Sequence, residues 1–345
     1  MVRNKTAQSG ALITANGIPT IQALVKELGG GWRFATDRAN LDPDRIYEID
    51  EFVDLSQMAQ LLEDCALTCD DDAFGLKMGT RTPIGTGSVF DYVALTASSL
   101  DRALDNWVRF QSIPSQSIPI TRERDPEITY LHWHISDSLG PRAQLVGAII
   151  GFAANRLKHM ANDEALPLRV ELTHKPSANI SAYHELLGDR IRFGAAADRI
   201  GVPHRYLSAV PPDSEPNLLT IMERTALNTL DLMEKESDQL FIIANQVTSG
   251  LKDGNASLDA VARDLGMSRR SVQRVLEKAG TTYRELMDDV RKSLAERYLM
   301  DSDLQLGEIA YLLGYSELSA FSRSAKGWFG MSAKDYRKRK SASGG

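Results

Sequence analysis

Ser257-Leu-Asp-Ala-Val-Ala-Arg-Asp-Leu-Gly-Met-Ser268 and Gln305-Leu-Gly-Glu-Ile-Ala-Tyr-Leu-Leu-Gly-Tyr-Ser316 are two copies of one pattern. Leu258, Ala262, Leu265, Gly266 and Ser268 align with Leu306, Ala310, Leu313, Gly314 and Ser316. After one inserted residue, Val272-Gln273-Arg274 falls on Phe321-Ser322-Arg323. In the first copy Leu258, Val261, Ala262 and Leu265 give one apolar face to a short helix, with Ser257 placed to cap it. The glycines stand where the chain must leave that helix in a left-handed conformation. Ser268 and Ser316 then read as N-caps of second helices. Those helices are expected to bury Val272, Val275 and Leu276 in one copy, and Phe321, Ala325 and Trp328 in the other. Each copy thus has the parts of a helix-turn-helix.

Between the copies, Tyr283–Met300 carries apolar residues at 286, 287, 290, 294, 298 and 299, the pattern of one amphipathic helix. At 1.5 Å per residue it spans about 25 Å. A rod of that length holds two recognition helices roughly one DNA turn apart, near ~34 Å, so that one chain enters successive major grooves.

Outward from the repeat the composition changes. The 345-residue chain has a net charge of −6. From Leu240 onward, however, 17 Lys and Arg face 13 Asp and Glu, and the preceding residues hold 23 against 33. An acidic front and a basic back fit a two-part protein whose back meets a polyanion. Leu55–Cys69 and Ser99–Phe110 have helical periodicity, whereas Ile128–Ile135 and Leu168–Thr173 are rich in β-branched and aromatic residues. The fold expected is an α+β sensor domain followed by an all-α domain with two helix-turn-helix motifs joined by a long helix. The boundaries read as a flexible tail over 1–12, a sensing or dimerisation domain over 13–212, and a helical linker over 213–236. A DNA-binding domain over 237–340 and a tail over 341–345 follow. The proline cluster Val210-Pro-Pro-Asp-Ser-Glu-Pro216 marks the exit from the front domain. Ala143–Leu157 is too short for a bilayer span and reads as a buried helix. Two cysteines and no recognisable export signal point to the cytoplasm, with no membrane association.

The stretch from about Leu240 to Lys340 resembles the AraC/XylS family of transcription regulators. The likeness lies in "RKSLAERYL" (291–299) and "LGEIAYLLGYSELSAFSRSAKGWFGMSAKDYR" (306–337). One departure is Ala333, where the family's G-x-S-P-x-x-Y-R ending has a proline that helps to start the last helix. The segment "LTHKPSANISAYHELLGDRIRFGAAADRIGVPHRYLSAVPPDSEP" (172–216) is similar to the arabinose-binding-type N-terminal domain of a branch with ornithine-responsive and virulence regulators. The resemblance implies base reading by the N-terminal half of the first recognition helix: Arg270, Ser271, Gln273 and Arg274. It further implies double-stranded DNA and RNA polymerase as partners, and a small-molecule effector.

The residue chemistry agrees with that assignment. Arginine holds guanine O6 and N7 through two hydrogen bonds, and glutamine does likewise with adenine. Arg269 is expected on phosphate, since positioning contacts outnumber reading ones. In the second unit Glu317, Ser319, Ser322 and Arg323 are the exposed candidates, with backbone docking favoured over base contact. Glu317 either accepts from cytosine N4 or stabilises its helix N-terminus. Tyr336–Lys340 reads as a solvated tail. For the effector, Trp107, Arg122, Tyr130, His132 and His134 are chosen as polar or aromatic residues near strand segments. Cys65 and Cys69 share a helix face and read as core packing, and Gly29-Gly30-Gly31 as a turn. No nucleophile elbow, HExxH or GxxxxGK[ST] occurs, so no enzymatic activity, metal or cofactor is expected. The alternative is a DNA-docked scaffold that recruits protein and senses nothing. A homodimer is a further expectation, formed by pairing of helical segments in the front half.

Overall fold

The computed structural model describes residues 11–176, 178–252, 254–301 and 304–341. They divide into two compact units, one ending at Asp231 and the other beginning at Leu232. In the first unit β1 (Leu12–Thr14) pairs antiparallel with β2 (Phe52–Asp54), and α1 (Ile18–Leu28) and α2 (Trp32–Ala39) lie between them in sequence. Four helices follow: α3 (Leu55–Thr68), α4 (Phe74–Arg81), α5 (Ser88–Leu95) and α6 (Leu100–Arg109). Two of them start where short polar side chains satisfy free backbone N–H groups. Asp54 accepts from Ser56 N and Gln57 N, and Ser99 from Arg102 N.

The second sheet holds β3 (Ile120–Arg124), β4 (Ile128–Trp133), β5 (Arg169–Glu171), β6 (Ile191–Arg192) and β7 (Arg199–Pro203), in the order β3-β4-β7-β5-β6. Helix α7 (Ala143–Ala161) separates β4 from β5, and α8 (Ile180–Leu187) separates β5 from β6. Side chains alternate across the strands. Ile120, Leu131, Trp133, Val170, Ile200 and Val202 join the hydrophobic core on one face. The other face carries Glu123, Tyr130, His132, Glu171, Arg192 and Arg199. There Arg199 bonds Glu171 and Glu123 at 2.9 and 2.8 Å and lies 4.2 Å from the Tyr130 ring centroid.

Two interactions fix the core. Helices α4 and α7 meet backbone to backbone through glycine. A Cβ on Gly75 would stand 2.0 Å from the Gln144 carbonyl oxygen, and one on Gly79 would stand 2.1 Å from that of Ala148. One helical turn beyond Phe152, Arg156 is fully buried and paired with the equally buried Asp91 at 2.9 Å. Arg156 also donates to Thr82 O at 2.7 Å and Pro83 O at 2.6 Å, while Asp91 accepts from Gly85 N and Gly87 N. Every polar group of the pair is therefore used, which is the condition under which a buried ion pair is tolerated.

Helix α9 runs from Pro216 to Lys252, and the second unit continues with α10 (Leu258–Asp264), α11 (Arg269–Lys278) and α12 (Tyr283–Asp301). The remaining helices are α13 (Leu306–Leu312), α14 (Leu318–Phe329) and α15 (Ala333–Ser341). Its core draws on each of them, with Ile243, Val247 and Leu251 of α9 packed beside Val261, Val272, Leu276, Leu294, Leu299, Ile309 and Phe321.

Several expectations need correction. Leu12 lies in a strand and not in a tail; residues 1–10 and 342–345 lie outside the described residues. The helical linker does not stop at 236, because nothing between Pro216 and Lys252 breaks helical geometry. Ser341 closes α15. Tyr336 and Arg337 belong to the fold. Tyr336 stacks on Phe329 with centroids 4.2 Å apart and donates to Glu296, and Arg337 donates to Leu304 O at 2.8 Å.

Replacing Gly79 by Ala should cost the first unit about 1–3 kcal/mol, because backbone cannot yield as a side chain can. Asp91→Ala, which strands the Arg156 charge in the core, should cost about 3–5 kcal/mol. Guanidinium unfolding followed by circular dichroism reads both. Wild-type midpoints would refute the packing account.

Candidate nucleic-acid interface and effector cavity

The first helix-turn-helix is built as the sequence implies. Ser257 Oγ accepts from Ala260 N, and Ser268 Oγ from Ser271 N at 3.0 Å. Gly266 turns the chain at φ 64°. Val272, Val275 and Leu276 are buried, leaving Arg269, Arg270, Gln273 and Arg274 exposed along α11. Arg269 reaches Asp259 at 3.3 Å, and the Ser271 hydroxyl is engaged with Ser268 Oγ at 2.7 Å. Among the described residues, no side-chain hydrogen bond or ion pair occupies Arg270, Gln273 or Arg274. These three donors are presented to whatever meets the helix.

The second unit departs from its copy at the cap. Helix α14 begins at Leu318, so the N-cap residue is Glu317 and not Ser316, and Glu317 makes no side-chain cap bond. Its carboxylate instead accepts from Ser319 Oγ at 3.0 Å, and Ser322 Oγ donates to Leu318 O at 2.8 Å. Both hydroxyls thus have local acceptors, and Arg323 is exposed, with no side-chain hydrogen bond or ion pair among the described residues. Trp328 is only partly buried; its Nε1 donates to Asp288 Oδ2 at 3.0 Å. Ser332 Oγ accepts from Asp335 N and so starts α15 without the proline that Ala333 replaces.

Helix α12 holds both helix-turn-helix motifs. Tyr283 Oη donates to Ala256 O at 3.0 Å near one end. Further along, Arg291 Nε donates to Leu313 O at 2.9 Å, and its guanidinium lies 4.6 Å from the Tyr315 ring centroid. Arg291 therefore grips the turn of the second helix-turn-helix at Gly314, which adopts φ 71°. Composition alone does not reveal that clamp, since a mid-helix arginine ordinarily reads as solvated. Burial pushes the Asp289 carboxyl on this helix up to about 6, with the Asp288 and Glu285 charges acting the same way and Lys292 against them.

In the first unit a cavity of about 170 Å³ is walled by α7, by Ile120 and Trp133 of the second sheet, and by residues of β1, α3, α5 and α6. Its apolar lining includes Met58, Leu62, Phe90, Trp107, Trp133 and Phe152. Thr82 and Gly87, in the loop that the Arg156–Asp91 pair fixes, also line it. Of the five residues expected to meet an effector, Trp107 alone is brought to this cavity. Arg122 projects from β3 to Asp101 and Asp105 of α6 and is bonded to both. Tyr130 and His132 sit on the opposite face of the sheet. His134 follows β4, its ring 3.9 Å from that of His132 and its Nε2 2.8 Å from Thr121 Oγ1. Burial, followed by the His134 and Arg199 charges, holds His132 below the usual histidine value. The sequence reading took the polar parity of β4, whereas the apolar parity, through Trp133, faces the cavity. Nothing polar in Met58, Leu62 or Phe152 separates a cavity wall from ordinary core.

Among the described residues no helix is long and apolar enough to cross a membrane, and no three His, Cys, Asp or Glu side chains group as metal ligands. Cys65 is buried, which pushes its thiol up to about 12.

Two helix-turn-helix units on one linking helix, with free arginines on the recognition surface, define a DNA-binding transcription regulator. Residues 29–210 match the arabinose-binding domain of AraC transcription regulators and residues 261–339 a helix-turn-helix domain; the chain belongs to the AraC family. It is 27% identical over 335 residues to the ornithine utilization regulator of Pseudomonas aeruginosa, covering 94% of this chain and 97% of that protein. Identity is also 27% over 334 residues to the transcriptional regulator VirS of Mycobacterium tuberculosis, covering 95% and 97%. Among solved structures, the transcriptional regulator CdpR of Pseudomonas aeruginosa aligns over 92% of this chain and 98% of its own, with a TM-score of 0.43 and 20% identity.

The raised Asp289 carboxyl sets a pH dependence. Its folded value lies above the ordinary aspartate value, so charging it opposes folding increasingly as pH rises toward about 6, and constantly above that. Asp289→Asn should therefore raise the melting temperature of the second unit at pH 8 and lose that gain by pH 4. An equal gain at both pH values would show that the charge is irrelevant.

Proposed function

We propose that the protein is an effector-modulated regulator whose first unit senses a small molecule in the cavity and biases DNA binding by the second. The observation that carries this reading is the pairing of a built apolar cavity, walled by Trp107 and Phe90, with a recognition helix whose Arg270, Gln273 and Arg274 have no protein partner. Arg270, Ser271, Gln273 and Arg274 read base edges, Arg269 positions the backbone, and Glu317, Ser319, Ser322 and Arg323 dock the second helix-turn-helix. Helix α12, 19 residues long, supplies about 28 Å of rigid spacing, in keeping with two successive major grooves. Modulation requires the effector to favour one binding state over the other. RNA polymerase is the partner through which such a protein changes transcription. A homodimer fits the exposed apolar residues Leu218 and Ile221 of α9, which stand about 60° apart around the helix.

Selection of full-length protein on randomised duplex DNA should recover two sequence blocks about one turn apart. Arg274→Ala should weaken binding to that site by about 1–3 kcal/mol and relax preference at one position. Arg269→Ala should weaken all sequences alike and reduce the salt slope by about one unit. Failure to recover any motif, with or without added metabolites, would falsify this reading.

A further inference from the structure

The cavity of the first unit has a chemistry of its own. None of its lining residues is Asp, Glu, Lys, Arg or His. Its polar lining groups are largely committed to the protein. Asn16 donates to Asp50 and Thr86 O, and Thr82 Oγ1 to Met78 O. Ser115 Oγ donates to Leu12 O, and Gln111 accepts from Ile120 N. Thr14 and Thr86 are partly exposed.

Trp107 differs. It is 1% exposed, stacked on Phe90 at 6.1 Å, and its Nε1–H is buried with no hydrogen-bond partner. A buried indole N–H ordinarily finds an acceptor, and leaving one unmade is costly. Cavity volume is close to the ~150 Å³ that accepts benzene in an apolar protein interior.

From these features we infer that the cavity binds an uncharged, mainly apolar molecule with one hydrogen-bond acceptor, to which Trp107 Nε1–H donates. A sugar would set several hydroxyls against a mostly apolar wall with few free partners, and a carboxylate or ammonium would meet no opposite charge. The domain's kinship with arabinose-binding domains therefore does not extend to the chemistry of this cavity. The inference rests on the sensing reading only for its biological meaning; the binding itself stands apart from it.

Acetophenone is a suitable probe, with ethylbenzene lacking the acceptor, benzoate adding charge at similar size, and L-arabinose as the sugar. Titration calorimetry on the full chain should give acetophenone about fivefold tighter binding than ethylbenzene, the worth of one hydrogen bond. Benzoate and L-arabinose should not bind measurably. In nitrogen-15 spectra one indole N–H resonance, absent from Trp107→Phe, should move downfield with acetophenone and not with ethylbenzene. Trp107→Phe should bring acetophenone down to the ethylbenzene level. Equal binding of acetophenone and ethylbenzene to the unaltered chain, or tighter binding of benzoate or L-arabinose, would overturn the inference, and neither result depends on a variant that folds. Binding of acetophenone at the Trp107 resonance with unchanged DNA affinity would uphold the cavity chemistry while refuting modulation by this probe.

Discussion

The contact between α4 and α7 is backbone against backbone, and much of the first unit follows from it. Gly75 and Gly79 leave no side chain between the helices, and Gln144 stitches their first turns together by accepting from Gly75 N at 2.8 Å and donating to Asp72 O at 2.9 Å. With α7 held that close, Leu145, Ala148, Ile149, Phe152 and Ala153 reach the cavity wall. Arg156, a turn further on, reaches Asp91 and the carbonyls of Thr82 and Pro83. The same helix thus closes the core, shapes the cavity and pins the loop beside it. Close packing at native density transmits such constraints because there is no slack to absorb them.

The DNA-binding unit uses a different means. Its helices are short, and α10 and α13 have 7 residues each, too few to be stable alone. Caps and the shared core hold them. Polar bonds to α12 from Trp328, Tyr336 and the Leu313 carbonyl then fix where each motif stands. Polar anchors of this kind add direction to apolar packing, which has none.

The repeat made the second unit legible. Gly266 and Gly314, the capping Ser257 and Ser268, and the buried Val272 and Phe321 each have a local cause that sequence spacing expresses. Ser316 failed because the inserted residue before Phe321 shifts the start of α14 by one position, and a capping pattern carries no register of its own. In the first unit the helices around Leu55 and Ser99 and the strand from Ile128 were legible from periodicity. The cavity was not. Its walls are Met58, Leu62, Phe152 and their neighbours, identical in character to core, and only the three-dimensional packing leaves space between them. Trp107, chosen with the others as polar or aromatic, lines the cavity, whereas Tyr130 and His132 lie on the other face of the sheet, since alternation fixes that two residues share a face without saying which face.

Helix α12 is one unbroken helix bonded to both motifs. Each residue added to it would turn the second motif by about 100° and carry it about 1.5 Å. On the proposed reading, substitutions on α11 would alter which bases are favoured one at a time, whereas the spacing of the two half-operators would be tied to the length of this helix. In a lineage of such regulators the letters of the operator would drift while its spacing stayed almost fixed, since an insertion or deletion in α12 turns the two readers away from a common side of the duplex.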